Sequence, residues 1–197
     1  YDITTEGNFE GKNIPNLINE DIETYASRRG LDIGDLIQKL ETVREMLFQE
    51  REKRIHPFKD DKILLSWNGL IIAALSRAGK VFGNYSYIES AERTVRFIEK
   101  YLFQNGRAMV RFRAGETKEK GFLDEYAFYL WGLLELFQAT LKNQYLRKAK
   151  KIADNMIELF WDEKAGGFFF TGSDQEEILV RQKESYDGAL PSGNSVA

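Results

Sequence analysis

The chain has 197 residues, 43% of them hydrophobic and 13% aromatic, which is enough apolar material for one large core or two smaller ones. Its 31 acidic and 28 basic residues are mixed along the sequence and leave a formal charge of -3, so the basic footprint of a nucleic-acid or anionic-membrane binder is excluded. With no cysteine, disulfides, thiolate metal sites and thiol redox chemistry are excluded within these residues.

Residues 1–30 have no long hydrophobic period and contain Pro15 and several Gly and Asn. They are predicted to wrap over the rest, with at most one short helix from Asp21 to Arg28. Next, Leu36, Leu40, Val43 and Leu47 recur at helical spacing with charges between them, the pattern of a helix with one wet face. His56, the one histidine, sits before Pro57 where that helix should end. It cannot form a two-histidine acid/base pair, and a loop or C-capping role is expected. Trp67 to Phe82 is apolar almost all the way round, so it is expected to be covered on most sides.

Ser86 to Leu102 returns to one-sided patterning, with Ile88, Ala91, Val95, Ile98 and Leu102 inward, and Ala108 to Arg113 reads as a strand. Leu123 to Leu141 is again apolar all round and close to the length of a membrane span. Asp124, Glu125, Glu135 and Gln138 would each be costly in hydrocarbon, so a buried helix is expected and no membrane partner. Tyr145 to Phe160 is the third one-sided helix, with Ala149, Ile152, Ala153, Met156 and Phe160 inward. Gly167 to Thr171 and Ile178 to Arg181 read as strands, and the Thr-Gly-Ser-Asp-Gln turn between them suggests a β-hairpin. The last residues, from Pro191, look like the start of another helix, which predicts a chain truncated at its C-terminus. The first residues lack a basic start and apolar run, making a cytoplasmic location the expectation.

Half-wet helices alternating with covered ones imply two concentric layers of an all-α, α/α toroid with short β-hairpins in its loops. An offset of 58 residues supports this, aligning Asn84 with Lys142, Tyr87 with Tyr145, Ile88 and Ala91 with Leu146 and Ala149, and Phe103 with Trp161. Residues 31–197 are thus expected to hold about three helical hairpins of a partial toroid whose exposed inner surface favours self-association.

In such a toroid the inner helices start on the same side, so residues in and before their first turns converge at one mouth. Asp60 to Gly69, Gly121 to Tyr126 and Arg181 to Ser195 are the segments concerned. Paired carboxylates with aromatic platforms suit glycoside chemistry, one acid protonating the leaving oxygen and one base or nucleophile opposite. Asp124 and Asp187 are the acid/base candidates, with Asp61 in support. Trp67, Tyr126 and Tyr186 could stack on a sugar, and Asn68, Arg181, Lys183, Ser192 and Asn194 could bind substrate.

Each has a plainer role. Asp124, Ser66 and Ser192 could cap helices, and Asp60 and Asp61 could pair with Lys59 and Lys62. Trp67, Trp131 and Trp161 could belong to the core, Asn68 and Asn194 could satisfy loop backbone, and Arg181 and Lys183 could be strand-edge charges. No phosphate loop, dinucleotide fingerprint or nucleophile elbow is present, and no metal or cofactor is expected.

The segments GNFEGKN (Gly7 to Asn13), DDKILLSWNGL (Asp60 to Leu70) and DGALPSGNS (Asp187 to Ser195), in this order, resemble the YyaL / spermatogenesis-associated protein 20 family. That resemblance runs nearly end to end. It implies the first part of a six-hairpin glycosidase-like toroid, similar to N-acylglucosamine 2-epimerases, which in the family is fused to a thioredoxin-like domain. The thioredoxin-like domain with its cysteines, the remaining hairpins and the paired histidines of the epimerases are all absent from these residues. Architecture therefore carries over more safely than reaction. Three roles follow as expectations: hydrolysis or isomerisation of a carbohydrate or polyol, non-catalytic binding of a glycan, peptide or client for the fused domain, or a structural scaffold.

Overall fold

Helix formation begins at Asp21, whose carboxylate accepts the Thr24 amide and caps α1 (Ile22–Arg29), as the sequence predicts. Gly30 ends the helix at φ 64, where a Cβ would be strained. The computed structural model describes residues 1–176 and 179–197, and they fall into two units, Tyr1–Lys59 and Asp60–Ala197. Within the first, the Asn8 and Asn13 side chains bridge the backbone of the N-terminal stretch, bonding Ile14 and Thr4 respectively. After an Asp32 cap, α2 (Ile33–Glu52) follows the predicted period. None of its residues is buried, however, and Val43 and Leu47 are 50% and 63% exposed. Its amphipathic stripe is a surface.

The second unit starts with β1 (Ile63–Leu64) and continues into α3 (Leu65–Phe82) and α4 (Tyr85–Tyr101). A small antiparallel sheet follows: β2 (Phe103–Gln104), β3 (Arg107–Arg113) and β4 (Glu116–Lys120), with β3 pairing β1, β2 and β4. The hydrophilic β4 shows no strand signal in its composition; it is held by its ladder to β3, in which Arg111 also pairs across to Glu119. Then come α5 (Leu123–Thr140), α6 (Asn143–Phe160) and the short α7 (Gly193–Val196). The two all-apolar helices, α3 and α5, pack on each other, α4 folds back on α3, and α6 on α5.

The core lies between these layers. Ile88, Ala91, Val95 and Ile98 point in from α4 and Leu102 from its C-cap, and Ala149, Ile152, Met156 and Phe160 point in from α6. Removing each larger side chain from water is worth about 1.5–3 kcal/mol. The 58-residue repeat holds at the buried pairs Ala91/Ala149, Ile98/Met156 and Leu102/Phe160. It fails at Leu146, which is 43% exposed while Ile88 is buried; Tyr145 takes the inward place, its hydroxyl 2.9 Å from Glu92.

Where a second hairpin is expected at Gly167 to Arg181, no ladder forms among the described residues, and Ile178 lies outside them. A single bridge joins Trp161 to Phe168. Gly166 and Gly167 both have positive φ, which turns the chain out of strand geometry, and isolated backbone bonds of Phe169 to Phe160, Phe170 to Gln182 and Ser173 to Leu159 are joined by side-chain bonds. Arg181 donates to the carbonyls of Thr171 and Leu159, and Asn194 exchanges two hydrogen bonds with the Phe168 backbone.

α3 and α5 approach until backbone touches backbone. A Cβ on Gly69 would lie 2.6 Å from the Phe128 carbonyl carbon, and one on Gly132 would lie 2.7 Å from the Gly69 oxygen. Residues 69 to 72 thus track residues 128 to 132 in the same direction, and both helices start at the same end. Gly132→Ala should cost about 1–3 kcal/mol in denaturant unfolding, overpacking outweighing the gain in helix propensity.

Candidate functional site

The first turn of α5 places two carboxyls side by side. Glu125, only 4% exposed, accepts the Phe122 amide at 2.9 Å and so closes the helix start from within. Burial pushes its pKa up, against the Phe122 amide and the Ser66 hydroxyl, which favour the charged form. Ser66 is therefore not the predicted cap of α3; Leu64 occupies that position, and the serine hydroxyl serves Glu125 from inside the helix.

Asp124 is half-buried. Its Oδ1 is out of contact with water and has no hydrogen-bond partner. Desolvation raises its pKa first and the Glu184 charge second, with the Gly193 amide partly offsetting them. A helix N-terminus normally favours a carboxylate, so desolvation wins here. The carboxyl is pressed against α7: a Cβ on Gly193 would meet Asp124 Oδ1 at 2.5 Å.

Ser192 caps α7 as predicted, accepting the Ser195 amide. Asp187 is exposed and committed to this turn, its Oδ1 accepting the Ser192 amide at 2.8 Å; that bond, with help from Ser195, holds its pKa down. Asn194 binds the Phe168 amide and carbonyl and the Glu184 carbonyl. Arg181 serves backbone carbonyls over the Phe169 ring, and Lys183 pairs with Asp162 and the Gly166 carbonyl. All five act on the chain itself.

At the start of α3, Asn68 donates to the Leu64 carbonyl, and Asp61 pairs with Arg113 at 2.6 Å rather than with Lys59 or Lys62. Trp67 is 58% exposed and is the free aromatic surface of this turn. Tyr186 is exposed as well, on the loop. Tyr126 is buried, and its hydroxyl accepts from the Arg107 guanidinium at 2.7 Å and the Ala108 amide at 3.0 Å, which removes it from any stacking role. Arg107 also donates to the Gly121 carbonyl and Asp174, tying the approach to α5 onto the turn after Phe170. Burial disfavours the Asp174 charge, but Arg107 and Lys120 outweigh it and lower its pKa.

The starts of α3, α5 and α7 do meet, through Ser66 with Glu125 and Asp124 with Gly193. Sequence reasoning missed Glu125, Glu184 and Arg107. Glu125 could have been found from its place three residues after the helix start, the capping-box position. Nothing in the sequence signals Glu184 or Arg107. Among the described residues, no group of three or more His, Cys, Asp or Glu side chains is arranged to hold a metal ion, and no helix is long and apolar enough to cross a membrane.

No protein-family model matches the chain. Human spermatogenesis-associated protein 20 is 34% identical over 203 residues, covering 98% of this chain and 26% of the relative. The chain belongs to the spermatogenesis-associated protein 20 family. An uncharacterized Caenorhabditis elegans protein is 31% identical over 199 residues, covering 97% of this chain and 27% of its own length. The chain thus spans about a quarter of the length of the curated relatives it matches.

Two solved structures give the family's fold its setting. A sugar epimerase from a ruminal bacterium superposes with a TM-score of 0.53 at 17% identity, over 71% of this chain and 37% of that one. The GH76 α-mannanase of Bacteroides thetaiotaomicron gives 0.52 at 22% identity, over 66% and 37%. The fold is that of part of an α/α toroid, as the alternating helices predict. In this family member α3 and α5 are successive inner helices, and α4 and α6 outer ones.

Because folding holds the Asp124 proton more tightly than the unfolded chain does, the stability it contributes is complete below its ordinary value of 3.8 and is lost as pH rises through the raised folded value. Asp124→Asn should therefore raise the melting temperature at neutral pH, with the gain shrinking toward pH 3; a gain constant with pH would show that no titration is involved. Arg107→Met should cost about 1.5–3 kcal/mol in chemical denaturation, because Tyr126, the Gly121 carbonyl and Asp174 would each lose a charged donor.

Proposed function

We propose that this domain acts on a carbohydrate or polyol, hydrolysing or isomerising it by proton transfer, with Asp124 as the acid and Glu184 as its companion carboxylate. The observation that carries this is the Asp124 carboxyl: desolvated, raised in pKa by burial and then by Glu184, and unpartnered at Oδ1. A carboxyl whose burial favours its protonated form, next to a second acidic side chain, is an asymmetry that acid/base catalysis on sugars can use. In this scheme Asp124 delivers its proton to the leaving or carbonyl oxygen of the substrate, and Glu184 takes the proton that is removed from water or carbon. Asn194, bonded to the Glu184 carbonyl, fixes the backbone that carries the base, and Trp67 offers the ring face. Asp61 and Asp187 take no part in the transfer, being committed to Arg113 and Ser192. The sugar-acting names of the epimerase and mannanase that share the fold support the substrate class.

A second reading is a binding module that presents a glycan, peptide or client to a thioredoxin-like domain elsewhere in a longer polypeptide. It is favoured by the internal commitment of Asp187, Arg181, Lys183 and Asn194, which leaves few free polar groups at the mouth. The two readings separate in a thermal-shift screen against mono- and oligosaccharides, run on wild type, Asp124→Asn and Glu184→Gln, followed by product analysis. A ligand at a hundred times its dissociation constant stabilises by about 2.7 kcal/mol. A sugar that stabilises all three proteins but is converted only by wild type fits catalysis. Binding without product in any of them leaves the binding module, and no sugar response in well-folded protein defeats the carbohydrate assignment.

A further inference from the structure

The short helix α7 lies on the first turn of α5, with Gly193 buried against Leu123 and Asp124. A Cβ on Gly193 would come within 2.5 Å of Asp124 Oδ1 and 2.8 Å of Leu123 Cγ, so there is no room for a side chain between α7 and the carboxyl. Four residues of helix make too few hydrogen bonds to hold such a position alone. What fixes α7 lies just before it. Asp187 Oδ1 accepts the Ser192 amide at 2.8 Å, which closes the 187–192 loop at the helix N-cap. Ser192 is 5% exposed and its hydroxyl accepts the Ser195 amide, so the clasp runs directly into the helix. Asn194 then ties the same helix to the Phe168 backbone and the Glu184 carbonyl. Asp187 is itself exposed, and the groups that favour its charge all belong to Ser192 and Ser195.

We propose that Asp187 is a positioning residue for Asp124: its bond to the Ser192 amide latches α7 over the first turn of α5 and so keeps water from the Asp124 carboxyl. As a role in catalysis this rests on the proton-donor function proposed for Asp124; as a physical coupling it stands by itself. Burial is the largest cause of the raised Asp124 pKa, and Gly193 is in contact with the buried oxygen. The ionisable groups around that carboxyl are Glu125, beside it on α5, and Glu184, on the loop before α7. α7 brings no ionisable side chain, only the Gly193 amide. When the latch opens, water takes the place of Gly193 and the charged form of Asp124 is favoured. Losing the Asp187 charge would act in the same direction, so the bond and the charge have to be separated by the choice of substitution.

The pH-dependent gain in melting temperature on Asp124→Asn reports the Asp124 proton, and it is measured in four backgrounds of the intact chain: wild type, Asp187→Asn, Asp187→Ala and Gly193→Ala. Asp187→Asn removes the charge but keeps an Oδ1 that accepts the Ser192 amide, so the gain at neutral pH should match wild type. Asp187→Ala removes the acceptor from an exposed position, leaves the core intact, and should lose most of the gain. Gly193→Ala drives α7 off by contact and should lose it as well, with Asp187→Ala adding nothing further in the double variant. The proposal is overturned if the gain survives Asp187→Ala, if Asp187→Asn and Asp187→Ala lose it alike, which would make charge the cause, or if wild type shows no pH-dependent gain. Absence of any converted sugar would count against the reaction at the mouth and leave the latch standing, since none of these measurements uses turnover.

Discussion

The contact of α3 with α5 at Gly69 and Gly132 sets the geometry of everything around it. Two helices whose backbones touch have no side-chain layer between them to absorb a rotation or a slide, so their relative register is fixed by hard-sphere contact. That register brings Ser66 over Glu125, and with it the start of one inner helix over the start of the next. α4 and α6 then cover what remains of the apolar circumference, which is why α4 and α6 need only one hydrophobic face each.

The mouth is a place where competing electrostatic effects are decided by water. Helix starts favour negative charge, yet both carboxyls of the first turn of α5 have raised pKa values, because desolvation there outweighs the peptide dipoles and the few hydrogen bonds available. Asp187, exposed and bonded to an amide, is held low instead. Three acidic groups on one rim thus differ through exposure more than through sequence position. Around them, Arg107, Arg181, Lys183 and Asn194 spend their donors on carbonyls and carboxylates of the chain, which makes this a braced rim rather than a loose set of loops.

The alternation of covered and half-covered helices was legible in the sequence because burial writes itself as periodicity: Ile88, Ala91, Val95, Ile98 and Leu102 are all inside as their spacing requires. The place of the mouth was legible for the same reason, since it follows from topology. Which side chains are free there was not. Tyr126 and Asn194 look like ligand-binding residues by type, but their partners, Arg107 and the Phe168 backbone, are distant in sequence and unmarked by any pattern. Among the described residues no ladder follows Gly167, where two positive-φ glycines redirect the chain, and composition alone reads a glycine pair as a turn without giving its direction. For α2 the period was right and burial did not follow, because amphipathicity records a face that can be covered without naming what covers it.

Asn194 carries a chemical vulnerability. Its amide nitrogen donates to the carbonyls of Phe168 and Glu184 while its oxygen accepts from the Phe168 amide, so the residue works as an inserted peptide unit holding two loops together. Asparagine followed by a small residue, here Ser195, is prone to spontaneous deamidation. An aspartate in this position would keep the acceptor but point a negative oxygen at two carbonyl oxygens, turning the clasp into a repulsion. Conversion of one amide to an acid with age would loosen the α7 side of the rim, which is tied to the Glu184 backbone and sets Gly193 against Asp124.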